Sequence, residues 1–259
     1  MEPKYKIFDT HAHYDDEAFD EDREEVLKQI QEAGVIGVLN CACSRKSLTT
    51  TNELTLKYDF IYGALGIHPS DAYDYNEDVR AEIIEKANSN KKILAIGEIG
   101  LDYHYTKENK DKQKELFITQ IKLANKYNLP IVIHSRDAVK DTIDILKEYK
   151  SFGVIHCFSE SLEIAKEYIN LGYKLGIGGV LTFKNSNLKE TIKNISIENI
   201  VLETDSPFLS PIRGSINEPK NIKLIAEYLS EVKEISLNEV ANITTKNANT
   251  TFGLHIKKM

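Results

Sequence analysis

Arginine is scarce in this chain. Five arginines stand beside 28 lysines, and the 33 basic residues are outnumbered by 40 acidic ones, giving a formal net charge of −7. That balance excludes a protein that wraps nucleic acid through a broad basic face. It leaves open an enzyme that holds one phosphate locally, with a metal ion supplying the positive charge. Cysteine is scarce too: Cys41, Cys43 and Cys157 are odd in number and form no C-x-x-C pair, so they read as free thiols in a reducing cytosol. Apolar runs long enough to span a bilayer are missing. Met1–Tyr5 carries neither an apolar targeting segment nor an amphipathic Arg/Ser pattern, so a cytoplasmic protein with no membrane partner is expected. No repeat, low-complexity tract or Pro/Gly/Ser linker interrupts the 259 residues, so a single domain over 1–259 is expected.

What the chain has instead is a regular alternation. Short, nearly continuous apolar runs, as expected of strands buried on both faces, occur at Lys6–Thr10, Val35–Cys41, Phe60–Gly66, Ile93–Glu98, Ile131–His134, Gly153–Cys157, Lys174–Gly178 and Ile200–Thr204. Helical periodicity lies between them. Phe19, Val26, Leu27, Ile30 and Ala33 share a face that Gly34 closes; Leu116 to Tyr127 and Leu162 to Ile169 repeat the pattern. Pro219 opens a helix before Ile222, with Asn217 as a candidate cap, and Ser236-Leu237-Asn238-Glu239 is a capping box for the last one. Asn187–Ile195 forms a short helix. Eight strands alternating with helices in a chain of this length predict an α/β fold of the (β/α)8 TIM-barrel type, with an open doubly wound sheet as the alternative. The connections after strands one, three, four and eight are the long ones, and in a barrel such loops build the active face.

The histidines fall where that face would be. His11 and His13 close strand one, two apart and so on one side of it. His68 and His104 follow strands three and four, His134 ends strand five and His156 nearly ends strand six. His255 is stray, in the C-terminal tail. Glu98 ends strand four and Asp205 ends strand eight. Barrel closure sets strand eight beside strand one, which places Asp205 next to His11 and His13; Glu98, His134 and His156 form the opposite half. Mixed imidazole and carboxylate donors suit Zn, Mn, Mg or similar divalent ions, and Glu98 is long enough to bridge two. His68 either meets substrate or fixes its turn, and His104 is solvated or faces substrate. Glu203, two before Asp205, is placed to hydrogen-bond a ligand histidine. Arg213, in Arg213-Gly214-Ser215-Ile216-Asn217-Glu218-Pro219, is placed either to fork onto a substrate phosphate or to pair with a nearby acid.

The motifs His11-x-His13, Gly97-Glu98-Ile99-Gly100-Leu101-Asp102, Ile133-His134-Ser135-Arg136, His156-Cys157-Phe158-Ser159 and Glu203-Thr204-Asp205-Ser206-Pro207 resemble, in order and spacing, those of the TatD family of metal-dependent hydrolases within the amidohydrolase superfamily. The resemblance runs from about Ile7 to Phe252. It implies two divalent metal ions, one held by His11, His13, Glu98 and Asp205 and the other by Glu98, His134 and His156. It also implies a metal-dependent DNase of the 3′–5′ exonuclease type acting on DNA ends, with a D-aminoacyl-tRNA deacylase as the alternative, and a monomer. Glu160 departs from the pattern, since the family commonly has glycine there; the change bears on loop shape and substrate preference. In the expected mechanism Asp205 orients a metal-activated water and takes its proton, while Glu98 serves as ligand and bridge. A non-catalytic metal-binding protein is the reading from a different class, and the intact Asp205 argues against it.

Overall fold

The computed structural model describes residues 5–104 and 108–254; His255 lies outside them. All eight expected strands form: β1 (Ile7–Ala12), β2 (Val35–Cys41), β3 (Ile61–Ala64), β4 (Ile93–Asp102), β5 (Ile131–Arg136), β6 (Gly153–Ile155), β7 (Lys174–Ile177) and β8 (Ile200–Leu202). They are parallel and ordered one to eight in a single sheet. The sheet then curls back on itself. Ala12 bridges Ser206 in parallel, the His13 N–H donates to the Ser206 carbonyl at 2.7 Å, and the Asp205 N–H donates to the His11 carbonyl at 2.9 Å. The open-sheet alternative is thereby excluded, and the fold is a TIM-type barrel.

Helices fill the connections: α1 (Arg23–Glu32), α2 (Arg45–Lys57), α3 (Glu77–Ser89), α4 (Lys110–Tyr127), α5 (Val139–Tyr149), α6 (Leu162–Asn170), α7 (Leu188–Lys193), α8 (Ile222–Lys233) and α9 (Leu237–Phe252). Their ends follow local chemistry. Gly34, past α1, takes φ +83°, a left-handed value that glycine accepts freely. The Ser236–Glu239 capping box forms as expected. Pro219 opens a short 3₁₀ turn, and α8 proper starts at Ile222. Asn217 does not cap it. Its buried side chain turns the other way and donates to the Thr204 and Phe208 carbonyls at 2.6 and 2.8 Å.

A cluster of Phe8, Leu39, Ala64, Ala95, Val132, Val154 and Val201 draws on seven strands and meets Ala248, Phe252 and Leu254 from the end of α9. Val132, Val154 and Val201 each lie two residues before His134, His156 and Glu203, so each strand continues upward from apolar packing to polar chemistry on one face. β4 runs four residues beyond the end expected from the apolar run, because Ile99 to Asp102 pair with Ile133 to Arg136. Gly100 makes that pairing possible: a β-carbon there would lie 1.9 Å from the His134 carbonyl oxygen. Among the described residues, no helix is long and apolar enough to cross a membrane.

Candidate metal centre

At the C-terminal ends of the strands a cleft of about 630 Å³ opens over Glu98, His134, His156 and Asp205. Glu98 is buried at its floor, and its two carboxylate oxygens face different partners. Oε2 lies 3.4 Å from His11 Nε2 and 3.6 Å from His13 Nε2. Oε1 lies 2.9 Å from His134 Nδ1, 3.8 Å from His156 Nε2 and 3.9 Å from His68 Nε2. Asp205 Oδ1 completes the first side, 3.7 and 3.5 Å from the Nε2 atoms of His11 and His13. The two oxygens of Glu98 thus face different sets of imidazoles.

The imidazoles are oriented from behind. His13 Nδ1 is 2.8 Å from the Cys41 carbonyl, which only accepts, so this nitrogen carries a proton and Nε2 faces the cleft. His134 is turned the other way: Nε2 sits 3.0 Å from Asp102 Oδ2, so Nδ1 faces Glu98. His156 Nδ1 is 3.0 Å from Glu203 Oε1, near enough for charge attraction but out of line for a hydrogen bond. Glu203 Oε1 accepts instead from the Cys157 N–H at 2.6 Å. Its carboxylate occupies room that only glycine leaves, since a β-carbon on Gly176 would lie 2.1 Å from Oε2. His11 and His156 stack with ring centroids 3.6 Å apart.

The charges respond to this crowding. Burial pushes His13 down, but a hydrogen bond to Asp205 and the charge of Glu98 carry it up to about 9. Burial likewise lowers His156, and Glu203, Asp205 and Glu98 together carry it up to about 10. For Glu98 burial favours the acid, but the positive fields of His11 and His156 hold the carboxyl well below its ordinary value. Four imidazole Nε2 atoms and one Nδ1 thus converge on two carboxylates, with His11 Nε2 and His13 Nε2 only 3.0 Å apart. A donor set of this kind suits a borderline divalent cation, which would replace the protons that the carboxylates now attract. Among the described residues, four groups have the spacing to hold one: His11, His13 and Asp205; His11, Glu98 and His156; His68, Glu98 and His134; and His156, Cys157 and Glu203.

A family model described as "TatD related DNase" matches residues 8–253. The chain belongs to the TatD family. It is 44% identical to the uncharacterized metal-dependent hydrolase YabD of Bacillus subtilis, over 96% of this chain and all of that one. It is 34% identical to the human deoxyribonuclease TATDN3, with 93% of each covered. The crystal structure of YJJV, a TatD homologue from Escherichia coli, superposes with a TM-score of 0.90 at 30% identity, covering 96% of this chain and 98% of that one. A metal-dependent hydrolase on a TIM-type barrel is therefore shown.

In this TatD chain Asp102 is the residue that sequence reasoning did not assign. Its only signal was its place at the end of the Gly97–Asp102 motif. Burial raises its carboxyl, yet the His134 hydrogen bond and the His104 N–H bring it down to about 2. Arg213 is exposed and stands outside the lining of the cleft, whereas Arg136, the last residue of β5, lines it. His104 sits at the exposed rim, its Nδ1 3.0 Å from Asp137 Oδ2. His68 is more informative. Its Nδ1 accepts the Ser70 N–H at 3.2 Å, so the neutral ring keeps its proton on Nε2, the atom that faces Glu98. Burial moves His68 down to about 4, so it stays neutral. His68 is thus an N–H donor aimed into the cleft.

Proposed function

We propose that this chain is a deoxyribonuclease of the 3′–5′ exonuclease type, working with two divalent cations. The observation that carries this reading is the division of Glu98, whose Oε2 meets His11 and His13 and whose Oε1 meets His134 and His156. His11, His13, Glu98 and Asp205 would hold one cation, and Glu98, His134 and His156 the other. When bound, such ions activate water near neutral pH and balance charge on the phosphoryl group. The protein supplies the rest. Asp205, with Oδ1 facing the His11 and His13 imidazoles, orients the water and takes its proton. The His68 Nε2–H donates to a non-bridging or leaving oxygen. Arg136 is the arginine at the cleft and forks onto a phosphate of the same strand; Arg213, farther out, meets a phosphate beyond it. With a net charge of −7, the affinity for DNA is local and favours single-stranded or frayed ends.

The test is digestion of a 5′-labelled single-stranded oligonucleotide by metal-loaded protein, with D-aminoacyl-tRNA treated in parallel. A ladder shortening by one nucleotide from the 3′ end, abolished by chelator, is expected. Hydrolysis of the aminoacyl ester with the oligonucleotide left intact would overturn the nuclease reading in favour of the deacylase.

A further inference from the structure

One wall of the cleft mouth carries an aromatic ring that the metal chemistry does not use. Phe208 lines the cleft and is 51% exposed, with Leu209 beside it at 39%. A large apolar side chain left in water is ordinary on a loose surface loop. Here the backbone beneath it is held at successive positions. The Phe208 N–H donates to the Asp205 carbonyl at 2.7 Å, and the Phe208 carbonyl accepts from Asn217 Nδ2 at 2.8 Å. The Asn217 N–H holds the Pro207 carbonyl at 3.0 Å, and Asn217 itself is wholly buried and tied to Asn221. Leu209 is held at φ +50°, a conformation that costs a branched side chain free energy. Its carbonyl passes so close to Gly179 that a β-carbon there would sit 2.0 Å away. The ring centroid stands 5.8 Å from that of His13, with the planes at 65°. The chain thus fixes an exposed aromatic face rigidly at the edge of the metal centre.

We propose that Phe208 is a stacking platform for a nucleobase flanking the scissile phosphodiester; this rests on the nuclease reading above. Charge supports that occupant. An acidic chain draws little affinity from the DNA backbone as a whole, so a single strand is held where the few attractive contacts are: a cation and Arg136 at one phosphate, and an uncharged ring at a base. Stacking on an aromatic ring works for every base, which suits an enzyme that degrades ends regardless of sequence. The ring's backbone descends directly from Asp205, so a base stacked there brings its own phosphodiester to the donors.

The experiment compares wild type, Phe208→Ala and Phe208→Trp, all metal-loaded and with metal content measured. The substrates are a single-stranded oligonucleotide and the same strand with abasic residues in its last two positions. Phe208→Ala is expected to lower kcat/KM on the normal strand by roughly tenfold or more, mainly through KM, to leave the abasic strand at the wild-type value, and to keep full metal content. Phe208→Trp is expected to restore the normal strand. Equal losses on both strands, or no loss on either, would overturn the platform while leaving the nuclease reading intact. A wild type that cleaves neither strand would sink the nuclease reading itself, and the platform with it.

Discussion

Replacing Asp102 by asparagine isolates one contact of the metal centre. The substitution keeps the side chain's size, and the backbone is held separately: the Asp102 N–H donates to Gln113 Oε1, and Gln113 Nε2 donates to the Asp102 carbonyl, both at 2.8 Å. What changes is the charge of the group that receives the His134 Nε2 proton at 3.0 Å. Asp102 is only 4% exposed, so water does little to screen the contact. A hydrogen bond to a charged group contributes about 1.5–3 kcal/mol, roughly 10- to 150-fold in a dissociation constant. Partners of metal-bound histidines, taken as a class, change affinity or activity by about 10- to 100-fold. Asp102→Asn should therefore weaken the cation held through His134 by about 10- to 100-fold. The cation held by His11, His13 and Asp205 should weaken less, because Asp102 reaches it only through the Glu98 carboxylate that both halves share. Titrating metal-free protein with a divalent ion against a competing chelator resolves the two steps. Two unchanged steps, or two steps weakened alike, would refute the role given to Asp102.

His134→Ala should lose one cation and most activity while keeping its circular-dichroism spectrum; full two-metal occupancy by metal analysis would remove His134 from the ligand set. In His11→Ala the cation shared with Asp205 should be lost first, and loss of the His134 cation instead would reverse the assignment of the halves. Metal uptake should release protons, because His13 and His156, carried up to about 9 and 10, are protonated in the metal-free site at neutral pH and must give up that proton to ligate. Apparent metal affinity should accordingly rise as pH rises from 6 to 8, and calorimetry in buffers of different ionisation enthalpy that finds no proton release would contradict this.

The barrel was legible because its strands are buried on both faces and so read as continuous apolar runs between helices. The first half of the metal centre was legible for the same reason, since closure alone puts Asp205 beside His11 and His13. Other features depend on geometry that spacing does not carry. The group orienting His13 is the Cys41 carbonyl, a backbone atom that any residue would supply. Asp102 acts on His134, 32 residues away, only because β4 keeps pairing past Glu98, and that extension rests on Gly100 rather than on an apolar run. Asn217 resembled a helix cap because it precedes Glu218-Pro219, yet it is drawn back to the loop after β8. The α3 helix fully buries few apolar side chains, Val79 and Ile83 among them, so its periodicity is faint. Arg136 closes β5 and lines the cleft, whereas Arg213 lies well beyond the end of β8 and does not.

The first half of the metal centre and the closure of the barrel are built from the same contacts. Asp9 accepts the N–H and the hydroxyl of Thr204, 195 residues away, at 3.0 and 2.7 Å, alternating along β1 with the backbone bonds that His11 and His13 make to Asp205 and Ser206. Asp205 itself sits at φ +61°. That conformation costs on the order of 1–3 kcal/mol for a residue with a β-carbon and persists only where the surroundings over-determine it. Here they do: the Phe208 N–H closes a turn onto the Asp205 carbonyl, while Asn217 anchors Thr204 just before it. An unfolded chain has no reason to bring the first strand to the last, so a cation gripping both sides of the seam adds its binding free energy to folding. His134 and Glu98 differ, because β4 and β5 are neighbours in sequence and pair directly. A cation held between His11, His13 and Asp205 would be coupled to the whole barrel, and one held at His134 to a local pair of strands.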